Sequence, residues 1–361
     1  MKSEIECMKK ALLKPRKNVS SEMDKGLSTG CTMLNLGCTG NPNVGFLPGH
    51  YYFLVGDTTS GKTWLSLTCC AEATINSNYD DYRLIYDQPE FGALMDKERF
   101  FGPLMAKRLE PPEKNKKGKA IFSSNIEEFF FHLDDAFNQE RPFVYILDSM
   151  DALTTGQERE KFIEQKDAYR KGKDLPGSYG LSKAKWNSSS FPKVIDSLKQ
   201  TGSILIVISQ TRDNIGFGFE KKTRAGGRAL TFYATLELWS SVVGRIKRLV
   251  RGVQRQLGVF CKVQIKKNRV IGRERSVIIP IYHSIGIDDL GSCVEFLVNE
   301  RHWLEKKGII KAPELGLEGK REQLIRKIEE KGLEPKLKEL TNEVWQEIEE
   351  ECKVSRKPRY G

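Results

Sequence analysis

The eight residues Gly56-Asp57-Thr58-Thr59-Ser60-Gly61-Lys62-Thr63 constrain this chain more than any other stretch. They fit the spacing G-x-x-x-x-G-K-[ST], in which two glycines let the backbone curl until its N–H groups turn toward phosphate oxygens. The neighbours fit as well. Tyr51 to Val55 is a short apolar, β-prone run, and Trp64 to Ala73 reads as a helix. A strand therefore delivers the loop and the positive end of a helix closes it. In that arrangement Lys62 reaches the β- and γ-phosphates and the Thr63 hydroxyl holds Mg²⁺. A glycine- and threonine-rich surface turn would explain the loop's composition but not the strand leading into it. Nucleotide binding uses all three features.

Composition bounds the rest. A chain of 361 residues can hold one large domain and a smaller one. With 39% hydrophobic and 30% charged residues it is expected to be soluble and globular, not disordered. No apolar run approaches a membrane span, and the N-terminus lacks the apolar core of a signal peptide, so a cytoplasmic location is expected. The eight cysteines contain no C-x-x-C pair and the four histidines do not cluster with them. That argues against a structural metal and for a reducing compartment, with Cys69 and Cys70 as core residues of the helix after the loop. The net charge of +11 points to a polyanionic partner if the cations gather in loops, and they do.

Strands and helices alternate up to about residue 210, which implies a parallel sheet covered by helices on both faces. A strand is expected at Tyr82 to Asp87, followed by Gln88-Pro89-Glu90, and a helix over Ile126 to Phe137. Phe143 to Leu147 followed by Asp148 reads as a buried strand that delivers a carboxylate to the nucleotide's Mg²⁺. Residues 154–190 lack a strong apolar period and carry Lys166, Arg170, Lys171, Lys173, Lys183, Lys185 and Trp186, so a functional or mobile loop is expected. A strand at Ser203 to Ser209 ends in Gln210-Thr211-Arg212 and leads into a glycine-rich basic stretch, Asn214 to Arg228, with Phe217 and Phe219. Strands recur at Ala234 to Trp239, Val259 to Lys266 and Ser276 to Tyr282. Five cations (Arg245, Lys247, Arg248, Arg251 and Arg255) lie between the first two. From about 290 the chain becomes helical and charge-alternating, with Gly332 at a stop between two helices.

Taken in order, these motifs resemble the RecA family of recombinases. Leu27-Ser28-Thr29-Gly30, Leu147-Asp148-Ser149-Met150-Asp151-Ala152-Leu153, Ile208-Ser209-Gln210-Thr211-Arg212 with Ile215-Gly216, Gly226-Gly227-Arg228-Ala229-Leu230-Thr231-Phe232-Tyr233-Ala234 and Lys267-Asn268-Arg269 each look like a family segment, collinear from about 27 to 290. The resemblance implies an α/β fold: a RecA-like P-loop ATPase core at 29–290 with a mostly parallel sheet flanked by helices. An N-terminal arm at 1–28 would precede it, and a small C-terminal helical module at 291–361 would follow. It also implies an ATPase that forms a helical filament on single-stranded DNA and pairs it with duplex DNA in recombination and repair. Carried over, Gly56 to Thr63 would hold ATP, with Thr63 and Asp148 on Mg²⁺. Gln210 would sense the γ-phosphate. Lys267 and Arg269 would reach a neighbouring subunit's nucleotide, and Phe232 would pack in the protomer contact. The two DNA loops would lie near 154–190 and 213–228. Lys183, Lys185, Arg212, Phe217, Phe219, Lys221, Lys222, Arg224, Gly226, Gly227 and Arg228 would contact the strand. Cations that release counterions, glycines that let backbone approach and aromatics that meet bases suit such loops on physical grounds too.

The chain departs from the family in three places. Where the family has a D-x-E carboxylate, this sequence reads Asp87-Gln88-Pro89-Glu90, so Glu90 is the candidate to polarise the attacking water and Asp87 the alternative. The first DNA loop is longer and more basic than usual, which suggests tighter DNA binding or an added partner surface. The tail carries Lys353, Arg356, Lys357 and Arg359 where the bacterial family is usually acidic. Two other functions use the same motifs: a weakly hydrolysing paralogue acting as a recombination mediator, and a ring-forming helicase or motor. The paired glycines 226 and 227 stand against the ring.

Overall fold

The apolar runs become the middle of one ten-stranded sheet. The structure is a computed structural model and describes residues 23–92, 94–171, 182–213, 222–224, 227–356 and 359. In chain order the strands are β1 (Tyr51–Gly56), β2 (Arg83–Asp87), β3 (Leu109–Glu110), the small pair β4 (Glu113–Lys114) and β5 (Ala120–Ile121), β6 (Phe143–Leu147), β7 (Ile204–Asp213) and β8 (Lys222–Arg224). They continue with β9 (Leu236–Val250), β10 (Val253–Asn268), β11 (Arg275–Tyr282) and β12 (Gly286–Ile287). Their spatial order is β12-β11-β10-β9-β1-β7-β6-β2-β3, with β8 beside β7. From β9 to β3 the pairings are parallel, whereas β10, β11 and β12 are added antiparallel.

Each central strand is apolar throughout because it feeds two cores. Tyr52 and Leu54 of β1, Val144 and Ile146 of β6, and Ile204, Ile206 and Ile208 of β7 face one cluster, shared with the helix Lys62–Ile75. Tyr51, Phe53 and Val55, then Phe143, Tyr145 and Leu147, then Leu205 and Val207 face the other, under the helices Ile126–Phe137 and Ser182–Thr201. Alternation with a period of two thus hides inside an unbroken apolar run. Cys69 and Cys70 are buried in the first cluster.

Three expectations drawn from the sequence need correcting. The segment 154–190 contains ordered helix: Gly156–Arg170 and the start of Ser182–Thr201. The first of these buries no residue, so its sequence shows no apolar period. The basic stretch from Arg245 to Arg255 is strand and not a connecting loop. There β9 and β10 continue as a pair to Val250 and Val253, closed by Arg251 and Gly252 with φ of 52° and 77°. Two positive φ values in a two-residue loop make the type I′ turn that suits a twisted hairpin. The C-terminal module is not purely helical. Between the helices Asp289–Asn299 and Arg321–Glu330 stand β13 (Leu304–Lys306), β14 (Ile309–Ala312) and β15 (Leu317–Gly319), around a core that includes Trp303.

That module is fixed to the sheet domain by polar contacts. The Asp289 carboxylate accepts from the Thr32 amide at 2.6 Å and the Thr32 hydroxyl at 2.8 Å. Arg275 makes a two-point pair with Glu349 at 2.6 and 2.8 Å. Gly332 has a φ of 60° just after Arg321–Glu330, so it ends that helix where the sequence suggested.

Candidate functional site

Parallel strands that start together end together. Register pairs Gly56 with Gln210 and Asp87 with Leu147, so β1, β7, β6 and β2 present their following residues along one edge of the sheet. In open α/β sheets ligands bind outside this carboxyl edge. The loop after β1 curls there and enters the helix Lys62–Ile75. Gly61 has a φ of 83°, and a Cβ on it would lie 2.3 Å from Ile281 Cδ1. A Cβ on Gly56 would lie 2.3 Å from the Ser240 carbonyl oxygen. A side chain at Gly56 would collide with the β9 backbone, and one at Gly61 with Ile281 of β11. The first-turn amides of the helix have no intrahelical acceptor and supply an anion site.

Beside this loop is a cavity of about 570 Å³. Its polar wall comprises Thr59 to Thr63, Glu90 and Asp148. The Lys62 ammonium donates to the Gly56 carbonyl at 2.9 Å and the Asp57 carbonyl at 2.6 Å, which holds it inside the curl. Burial lowers its pKa, opposed by the nearby carboxylates of Asp148, Asp57, Glu90 and Asp151. The Thr63 hydroxyl donates to Asp148 Oδ2 at 2.7 Å, and the Tyr86 hydroxyl to the same oxygen at 2.9 Å. Burial raises the Asp148 pKa against those two hydrogen bonds, with Glu90 adding to the rise and Lys62 opposing it. A hydroxyl and a carboxylate set side by side suit a hard, oxygen-seeking divalent cation.

Glu90 lines the cavity and Asp87 does not. Glu90 Oε1 accepts from the Ser149 hydroxyl and, at 3.2 Å, from Gln210 Nε2. The carboxylate therefore links the residue after Asp148 to Gln210 of β7. Asp87 is fully buried, on Tyr145 (2.8 Å) and on the Ser123 amide (3.0 Å) and hydroxyl. It serves the core and lies outside the cavity, so of the two carboxylates Glu90 is the one placed toward the cavity. A second link starts in the phosphate loop, where the Thr211 hydroxyl donates to Asp57 Oδ1. Thr58 is exposed on the loop.

The far wall has no motif in the sequence. Trp64 and Met95, then Gln256 and Val259 of β10, Ile281 of β11 and His283 line this side of the cavity. They come from four places in the chain, so only the sheet order brings them together. Trp64 alone had a signal, being next to Thr63.

Lys267 and Arg269 are not in this cavity. They sit where β10 leaves the opposite edge: Asn268 pairs with Leu236, which begins β9, and Leu236 pairs with Tyr52 near the start of β1. The length of β1, about 16 Å at 3.3 Å per residue, separates them from the loop. Lys267 donates to the carbonyls of Thr231 and Phe232 at 2.5 and 2.9 Å, and Arg269 to the Phe232 carbonyl at 2.8 Å. Burial and the adjacent Arg269 push the Lys267 pKa down to about 8. The Phe232 ring is 62% exposed, available to a neighbour.

The candidate strand contacts fall partly within the described residues. The Lys183 ammonium is 3.5 Å from the Met150 carbonyl, Lys185 lines a small cavity with Trp186, and Arg228 is exposed at the start of the helix Arg228–Tyr233. Gly227 has a φ of 80° and precedes that helix, against Ala184. Arg212, Lys222 and Arg224 belong to the β7–β8 pairing. Phe217, Phe219, Lys221 and Gly226 lie outside the described residues.

Comparison with known proteins adds to this geometry. A family model described as the RecA N-terminal domain matches residues 144–288. The chain is 27% identical over 284 residues to Protein RecA of Prochlorococcus marinus, covering 78% of this chain and 66% of that protein. It is 26% identical over 313 residues to Protein RecA of Colwellia psychrerythraea, covering 83% of this chain and 77% of that one. The chain thus spans just under two thirds of the Prochlorococcus relative. A solved crystal structure of the RadB recombinase is similar at a TM-score of 0.48 and 16% identity, covering 73% of this chain and 99% of that one. The family-model match begins at Val144 and does not cover the loop from Gly56 to Thr63.

Proposed function

We propose that this chain, which is similar to Protein RecA of Prochlorococcus marinus over 78% of its length and matches a model of the RecA N-terminal domain at residues 144–288, is an ATP-dependent, DNA-stimulated recombinase. It would assemble on single-stranded DNA and pair it with a duplex, in recombination and repair. One observation carries the reading: Lys62, the Thr63–Asp148 pair and Glu90 line a single cavity on one sheet edge, and Gln210 donates to Glu90 from β7. The loop amides and Lys62 would bind the phosphates of ATP, and Thr63 with Asp148 would hold Mg²⁺. Bound there, Mg²⁺ would neutralise charge on the phosphate oxygens. Glu90 would take the proton of the attacking water. Gln210 would feel any shift of Glu90 and pass it along β7 toward the second candidate DNA loop.

Lys267 and Arg269 leave the opposite edge, so they would meet phosphates only of another copy's nucleotide. Hydrolysis would then need assembly, and assembly on a strand would stimulate it. The discriminating experiment is the ATPase rate per protomer against protein concentration, with and without single-stranded DNA, beside electron micrographs. A rate indifferent to both rejects the assembly mechanism. Closed six-membered rings in place of fibres favour a motor.

Two further outcomes are expected. Glu90→Gln lowers kcat about 100-fold with nucleotide affinity kept, whereas Asp87→Asn acts on thermal stability; a larger kcat loss in the Asp87 variant would reverse the assignment. The second concerns pH. Lys267 loses its proton as pH rises through about 8, so its grip on a neighbour's phosphates is present below that value and fades above it. ATPase activity at fixed protein concentration should decline on that alkaline limb, and Lys267→Arg should carry it to higher pH, since guanidinium stays protonated. Superimposable limbs would remove Lys267 from the mechanism.

A further inference from the structure

A buried tyrosine needs an acceptor for its hydroxyl. In the core beside the helix Lys62–Ile75, Tyr52 donates to the Leu47 carbonyl and Tyr79 to the Lys25 carbonyl, each at 2.8 Å. Tyr86 belongs to the same core, but its hydroxyl goes to a charged group, Asp148 Oδ2, at 2.9 Å. The ring is only 3% exposed and has little room to turn, and the Lys97 ammonium lies over it, 5.7 Å from the centroid. Its partner is fixed as well. Register pairs Tyr86 with Ile146, and the Asp148 amide donates to the Asp87 carbonyl at 2.8 Å. The sheet therefore sets the hydroxyl and the carboxylate against each other on the wall of the nucleotide cavity, which both residues line.

Two donors converge on one oxygen, since the Thr63 hydroxyl also donates to Asp148 Oδ2, at 2.7 Å. A carboxylate oxygen has two lone-pair directions, and these two hydroxyls take both. Oδ2 then has none left for a cation. Asp148 would meet a cation, or a water bound to one, through Oδ1 alone. That restriction bears on which ion fits. Mg²⁺ demands near-ideal octahedral geometry at about 2.0–2.1 Å and takes carboxylates through single oxygens. Ca²⁺ is larger, accepts about six to eight ligands and is often held by both oxygens of one carboxylate. A carboxylate pinned at one oxygen cannot offer that two-point grip. Thr63 belongs to the phosphate-loop pattern, whereas Tyr86 belongs to no motif and reaches the site only because β2 lies beside β6.

We propose that Tyr86 is a positioning residue that sets the ion preference of the divalent-cation site: with Thr63 it holds Asp148 Oδ2, confines Asp148 to ligation through Oδ1 and favours Mg²⁺ over Ca²⁺. The proposal rests on the nucleotide-binding reading above. It adds to that site a side chain that touches neither nucleotide nor cation and acts through Asp148.

The test measures ion binding without turnover. Full-length protein saturated with ADP is titrated with Mn²⁺, read by electron paramagnetic resonance, and the bound Mn²⁺ is then displaced by Mg²⁺ or by Ca²⁺. Tyr86→Phe removes one hydroxyl and keeps the ring. Tyr79→Phe is the control, since it removes a buried hydroxyl from the same core that bonds only a backbone carbonyl. Tyr86→Phe should weaken Mg²⁺ about tenfold or more, the usual loss when a group that orients a metal ligand is removed. Ca²⁺ should change little, because the freed lone pair on Oδ2 becomes available to it, so the preference for Mg²⁺ falls by about the same factor. Tyr79→Phe should keep the wild-type preference. Wild-type affinities for both ions in Tyr86→Phe overturn the proposal while leaving the nucleotide site intact. Equal weakening of both ions also overturns it, as does the same loss in both Phe variants, which would be a general effect on packing. A wild-type protein with no ADP-dependent Mn²⁺ site overturns the nucleotide reading, and the proposal with it.

Discussion

Protein with Lys267→Ala and Arg269→Ala together should hydrolyse ATP about 10³-fold more slowly than wild type, the scale of losing an arginine finger. It should still bind nucleotide normally at its own phosphate loop. The argument is geometric. Both side chains are held on carbonyls at the edge where β1 begins, and the cavity is at the edge where β1 ends. No rotamer spans that distance, so their proposed targets belong to the next copy. A mixing experiment makes the point sharply. Lys62→Ala protein alone and the double variant alone should both be inactive. Mixed in equal amounts they should recover about a quarter of wild-type activity, because one head-to-tail junction in four pairs an intact loop with an intact clamp. No recovery, with co-assembly verified by fluorescence transfer, would place the two residues outside the reaction.

Lys62→Ala should remove nucleotide binding and hydrolysis together, lowering kcat/KM by about 10²- to 10³-fold, the usual loss for a preorganised charged donor. In the structure the ammonium is drawn in by the Gly56 and Asp57 carbonyls while four carboxylates lie close enough to favour its charge. Removing it leaves Asp57, Glu90, Asp148 and Asp151 with no such counter-charge inside the curl, which turns an anion site into one that repels anions. Equilibrium binding of a fluorescent ATP analogue reports this directly. On the proposed reading DNA affinity falls in parallel at moderate ionic strength. Unchanged binding of both ligands would separate the loop from the function.

The parts legible in the sequence were those whose chemistry is local. The turn from Gly56 to Thr63 between β1 and the helix Lys62–Ile75 depends on consecutive residues, and β1, β6 and β7 announce themselves because both faces of each strand are covered. Glu90 and Asp87 are equally acidic and three residues apart, and only burial tells them apart: one lines the cavity and the other is used up by Tyr145 and Ser123. The far wall of the cavity was invisible because Met95, Val259, Ile281 and His283 become neighbours only through the order of the sheet. The β9–β10 hairpin was hidden for the opposite reason. Beyond Ser240 it leaves the core, so its residues are largely exposed and the apolar alternation that identifies a strand fades. The helix Gly156–Arg170 likewise buries nothing and imposes no period.

Gln210 and Thr211 are consecutive on β7, so their side chains leave from opposite faces of the strand. One is tied to Glu90 and the other to Asp57. A ribbon pinned above and below at adjacent rungs resists sliding along its length and yields instead by tilting. Any occupant that displaces either carboxylate would tilt β7 at Gln210 and Thr211, and breaking one pin alone would leave the other to set the direction of the tilt.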